Sequence, residues 1–153
     1  MAEPEQICLM SKVSGQLVKD GQPLPNTKLV RQLSYVYKDG FHIDEIMTDE
    51  KGYFAFPAIF EKKKRFVFLN IFQIGQVIEA VVNDENIIIW QGIKYDREQN
   101  AEARGNSIEI SCHVDREQMT KVIIDDSNYF IRCDWDIESD PDPEPDFGLS
   151  EDY

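Results

Sequence analysis

The chain has 153 residues, 42% of them apolar, and a formal net charge of −13, which suits one domain with its own core and is too little for two. So many carboxylates disfavour direct contact with nucleic acid or an anionic membrane, and no apolar run reaches the length of a membrane-spanning helix. The charge is uneven: Asp134 to Tyr153 holds nine acids and neither Lys nor Arg, leaving 20 acids against 16 bases in residues 1–133.

Met1 to Gln6 lack the basic start and apolar core of a secretory signal, so the expected location is the cytoplasm. Val13 to Lys19 alternates with period two and is the first expected strand. Thr27 to Lys38 follows, with Leu29, Leu33, Tyr35 and Tyr37 on one face and Arg31 as the exception. Asp39-Gly40 reads as a hairpin turn into Phe41 to Thr48. Asp49-Glu50-Lys51-Gly52 reads as a type I turn into Tyr53 to Phe60, which places Phe54 and Phe56 on one side. Lys62, Lys63, Lys64 and Arg65 form the one dense basic run. Phe66 to Ile74 is apolar and fits either a buried strand or a crossing segment. Gln76 to Asn83 and Asn86 to Ile93 form an expected hairpin through Asp84-Glu85, and 94–106 is an expected loop with room for one helical turn. In Ser107 to Val114, Ile108, Ile110, Cys112 and Val114 face one way. Lys121 to Ile124 is a further short strand. Tyr129 to Trp135 closes the series, with Tyr129, Ile131, Cys133 and Trp135 on one face.

Short strands and turns without a long amphipathic helix predict an all-β, antiparallel two-sheet sandwich of about seven to nine strands. Residues 7–135 form the domain. Residues 136–153 form an acidic tail, because Pro at alternate positions from Asp140 to Asp146 removes the N–H groups a sheet interior needs. The three cysteines, Cys8, Cys112 and Cys133, lack CxxC spacing and read as buried, reduced thiols rather than a disulfide framework or a zinc site.

Val13-Ser14-Gly15, Asp20-Gly21-Gln22-Pro23-Leu24 and Thr48-Asp49-Glu50-Lys51-Gly52-Tyr53-Phe54-Ala55-Phe56 resemble the V-x-G strand, D-G-x-P-L turn and T-D-x-x-G-x-F-x-F turn of carboxypeptidase regulatory-like domains. The likeness covers residues 13–56 and departs at Asn26, where the family usually has Gly. It implies a transthyretin-like Greek-key sandwich that serves as an accessory binding or folding module. The opening from Cys8 to Gly15 is similar to short stand-alone bacterial proteins built on that domain, and by analogy implies a partner protein such as an immunity protein.

No nucleophile with an orienting base is legible, and catalysis is not expected. His42 and Asp44 share an expected outward face. His113 follows Cys112 but points to the opposite face, so no metal site is expected, and no cofactor. The Tyr-Arg-Gly-Ser ending of the transthyretin-like hydrolase is absent, which counts against that enzyme as a relative in function. The expected function is binding of another protein with a basic surface, most specifically neutralisation of a secreted, type VI-like toxin. The expected contacts are the tail carboxylates Asp134, Asp136, Glu138, Asp140, Asp142, Glu144, Asp146, Glu151 and Asp152, with Trp135, Phe147, Leu149 and Tyr153 as apolar anchors. The run Lys62–Arg65 offers a counter-surface within the chain. A carbohydrate- or surface-binding accessory domain is the alternative; it predicts exposed aromatics on one sheet.

Overall fold

The computed structural model describes residues 6–35, 38–62, 73–123 and 128–140. Among these residues thirteen strands follow in order: β1 Gln6–Met10, β2 Val13–Lys19, β3 Gln22–Pro23, β4 Lys28–Tyr35, β5 Lys38–Met47, β6 Tyr53–Phe56, β7 Ile59–Lys62, β8 Ile74–Val82, β9 Glu85–Lys94, β10 Ile108–His113, β11 Met119–Val122, β12 Asn128–Ile131 and β13 Cys133–Trp135. Among the described residues there is no α-helix, only a turn of 3-10 helix at Ala101–Ala103. A six-stranded sheet has the order β11-β12-β9-β8-β4-β5, and a five-stranded sheet has β13-β10-β2-β3 with β6 also on β2. A small third sheet pairs β1 with β7.

The strands outnumber the seven to nine expected because β1 and β3 lie outside the expected stretches and because two of the expected strands divide. Tyr53 to Phe60 breaks around Pro57, which has no N–H for a ladder; β6 pairs with β2, and β7 pairs with β1. Tyr129 to Trp135 breaks at Arg132, so that β12 lies in the six-stranded sheet and β13 in the five-stranded one. The pairing is not wholly antiparallel either: β2 and β10 run parallel from Val13↔Ile108 to Val18↔His113. Gly15 lies opposite Ile110 in that pair, where a Cβ would sit 2.0 Å from the Ile110 carbonyl oxygen. Only glycine permits this approach.

Turn positions also moved. Asp39 and Gly40 lie within β5, where the register shifts between Ser34↔Phe41 and Tyr35↔Lys38, so they form a bulge rather than the hairpin turn. The β8–β9 hairpin turns on Asn83-Asp84, whose φ values of 51° and 65° both lie in the left-handed region, as a type I′ turn requires. At Asp49 the expected turn is present: the Gly52 N–H donates to the Asp49 carbonyl at 3.1 Å, and the Asp49 carboxylate accepts from Lys51 and Tyr53.

One hydrophobic cluster joins the inner faces of the sheets. Trp90 of β9 packs at 5.1 Å from both Tyr129 of β12 and Trp135 of β13, so the final strand is sealed into the core by aromatic contact. Arg31, the exception in the β4 pattern, is fully buried between Leu29 and Leu33. Its guanidinium forks onto Asp44 of β5 at 2.9 and 2.7 Å, donates to the Pro57 carbonyl at 2.7 Å, and lies 4.7 Å from the Phe56 ring centre. A buried cation is tolerable there because each face of it meets a partner.

All three cysteines are buried, as expected, but two are not reduced: Cys112 and Cys133 form a disulfide between neighbouring strands. The alternation of β10 and β13 aims both side chains inward at one register position, Cys112↔Cys133, and this pairing is invisible in the spacing of the chain. Cys8 remains a free buried thiol, and burial pushes its titration up.

Candidate functional site

Titratable side chains collect in one place inside the molecule. Glu102, in the 3-10 turn, accepts from the Ser11 N–H at 3.0 Å, the Ser11 hydroxyl at 2.7 Å and the Gln76 amide at 3.0 Å. Lys94 approaches Glu102 at 3.7 Å and donates to the carbonyls of Asp96 and Glu98. Gln76 in turn accepts from the Trp90 indole at 3.0 Å, and the Asn100 N–H donates to Ser11 Oγ at 2.7 Å. Ser11, Gln76, Lys94 and Glu102 are all fully buried. With its polar groups satisfied and closed to solvent, this cluster pins the 95–107 loop to β1, β8 and β9 rather than offering a reactive centre. No group of three or more His, Cys, Asp or Glu among the described residues is placed to hold a metal ion.

His42 and Asp44 do share a face, but it is the inner one. They pair with Leu33 and Arg31 across β4, while Ile43, Glu45 and Met47 point outward, Ile43 and Met47 at 50% and 57% exposure. Asp44 faces inward because Arg31 claims it; His42 Nε2 stands 3.4 Å away without hydrogen-bond geometry.

The outer face of the five-stranded sheet carries a small group of acids. Its register aligns Asp134, Ser111, Gln16 and Tyr53 across β13, β10, β2 and β6. The neighbouring row holds Glu109, Ser14 and Ala55, and Asp136, just beyond β13, lines one cleft with Glu109. Glu109 and Asp136 have no cationic partner among the described residues. Asp134 does: Arg116 donates to its Oδ1 at 2.6 Å, and His113 Nε2 lies 3.1 Å from its Oδ2. Arg116 first, then His113, holds this carboxyl below the usual range. Replacing Arg116 by Gln is therefore expected to raise the Asp134 titration toward that of a free carboxylate, read by NMR of its side chain. The stability linked to the depressed value exists at neutral pH and is lost as pH falls through it; exposure of Asp134 keeps the amount small.

The expected contact residues divide sharply. Trp135, expected as a surface anchor, is 7% exposed and belongs to the core, because the strand alternation that exposes Asp134 turns its neighbour inward. Asp136 and Glu138 are exposed. Asp140 is tied to the body: its carboxylate pairs with Arg104 at 2.7 Å and its N–H donates to the Val122 carbonyl at 2.8 Å. Val122 also donates to Ser139 Oγ at 2.8 Å, and Lys121 donates to the Ile137 carbonyl at 2.8 Å. The chain after β13 thus runs fastened along β11, an edge of the six-stranded sheet. Asp142, Glu144, Asp146, Phe147, Leu149, Glu151, Asp152 and Tyr153 lie outside the described residues. Of the basic run, Lys62 closes β7, and Lys63, Lys64 and Arg65 lie outside them too. Sequence reasoning missed Glu109, Gln16 and Tyr53; the alternation around each was legible, but the sheet order that brings them beside Asp134 was not.

An all-β chain with a cluster of carboxylates on one sheet face is the class these observations define. Residues 13–117 match the family described as a domain of unknown function, DUF6795, and the chain belongs to that family. Neither a curated protein nor a solved structure matches it. The family match takes in Glu109 on β10, whereas Asp134 and Asp136 follow it.

Proposed function

We propose that this chain is a non-catalytic protein-binding module that holds a basic partner, most specifically a bacterial immunity protein that neutralises a secreted toxin from the cytoplasm. The fold within this reading is a transthyretin-like sandwich of the carboxypeptidase regulatory-like kind. The observation that carries it is the convergence of Glu109, Asp134 and Asp136 with Tyr53, itself 51% exposed, on one outer sheet face. Carboxylates at the rim give fast, salt-sensitive encounter, and an exposed aromatic gives a contact that becomes buried on association.

The test pairs function with binding. Co-expression with a toxin encoded beside the gene should restore growth, and the E109K/D136K variant should fail to restore it while folding normally. Complex formation by the native chain should weaken steeply between low and high salt. Rescue by the variant equal to that of the native chain, or affinity indifferent to salt, would remove this reading.

A further inference from the structure

On the opposite side of the molecule, the outer face of the six-stranded sheet bears a groove of about 690 Å³. Its floor is Gly75 and Val77 of β8 and Ile93 of β9. Ser34, Gln91, Gln118 and Asn128 form its polar rim, and Phe130 of β12, 42% exposed, makes one wall. The register explains its shape: Ser34, Gly75 and Ile93 are consecutive partners across β4, β8 and β9, and Val77, Gln91 and Phe130 across β8, β9 and β12. Gly75 leaves the middle of the first row without a side chain, and a Cβ there would stand 2.6 Å from Ser34 Oγ. Depth in the groove therefore depends on this glycine.

The lining is also chemically selective. In a chain with 29% charged residues and a net charge of −13, none of the described residues that line the groove is charged. Among those described residues a phosphate or nucleic acid finds no cation, and a basic peptide finds no carboxylate. An extended peptide cannot add as a strand, since β8 and β9 are interior strands whose backbone groups are already paired on both sides. Recognition must come from side chains: three amides and a hydroxyl, which both donate and accept, beside an apolar ring. That combination suits a ring with hydroxyls at its rim and C–H groups on its face. From these observations we propose that the groove binds a neutral oligosaccharide of about two or three sugar units, a size matched to ordinary ligand pockets. This site is separate from the acidic face and does not depend on the protein-binding reading.

The experiment is an NMR titration of the full chain with maltotriose, cellotriose, mannotriose and N,N′,N″-triacetylchitotriose, with trigalacturonic acid as the charged control. At least one neutral trisaccharide should shift the side-chain amides of Gln91, Gln118 and Asn128, with the acidic face unmoved. F130A should weaken that affinity about tenfold or more, and Q91A should weaken it as well, the spectrum itself reporting an intact fold. No shift of these amides by any neutral probe at about 10 mM would overturn the proposal. So would equal binding of trigalacturonic acid, or undiminished binding by F130A and Q91A.

Discussion

Glu102→Ala is expected to lower stability by roughly 3–5 kcal/mol, because it strips the counter-charge from a buried lysine and leaves its former donors without an acceptor. Lys94 and Glu102 are both fully buried. The carboxylate removed accepts three hydrogen bonds, from the N–H and hydroxyl of Ser11 and from Gln76. For a domain of this size the loss corresponds to a melting temperature lower by about 10 °C or more. Glu102→Gln keeps an acceptor and should lose less. The double variant E102A/K94M should recover part of the loss, since it no longer buries an unpaired charge. Urea unfolding at neutral pH measures all three. A single alanine variant within about 1 kcal/mol of the native chain would mean that water enters and solvates Lys94, and the clamp described above would then be wrong.

That cluster shows where sequence reasoning stops. Ser11, Gln76, Lys94 and Glu102 come from four separate segments, and the Ser11–Glu102 contact spans 91 residues. Nothing local marks any of them as buried; each reads as an ordinary surface residue in its own window. By contrast, the β2 and β10 patterns were legible because each strand has one apolar face: Val13, Leu17, Ile108, Ile110 and Cys112 are all buried. Arg31 lies between these cases. The alternation put it on the inner face, and only the fork onto Asp44 explains how a guanidinium can stay there. The same fork is why the outward face expected for His42 and Asp44 was inverted. On the acidic face, the carboxylates of β13 were legible as charge. Their alignment with Ser111, Gln16 and Tyr53 required knowing that β10 runs parallel to β2 and antiparallel to β13.

Oxidised protein is expected to be about 3 kcal/mol more stable than reduced protein, since the Cys112–Cys133 bridge closes a loop with a sequence separation of 21. That loop contains β11 and β12, which belong to the other large sheet, so the bridge limits the unfolded chain across the same crossing that Trp90 and Trp135 close in the folded one. Reduction should not unfold the domain. Both sulfurs sit at positions no more than 1% exposed, where two thiols pack as small apolar groups. The expected result is a lower urea midpoint in a dithiol reductant with the same spectrum, and a C112A/C133A variant whose midpoint no longer responds to reductant. Thiol titration of the unfolded, air-oxidised chain should count one free cysteine, Cys8; three would refute the bridge. Disulfides persist in oxidising compartments and are rare in the cytoplasm. A cytoplasmic chain would therefore work in its reduced form, with β13 held to β10 by three residue pairs and the packing of Trp135. Asp134 follows Cys133 directly, so the bridge also holds the acidic face in place. Partner binding through that face is accordingly expected to be tighter in oxidised than in reduced protein, and equal affinities would mean that strand pairing and Trp135 alone hold β13 in place.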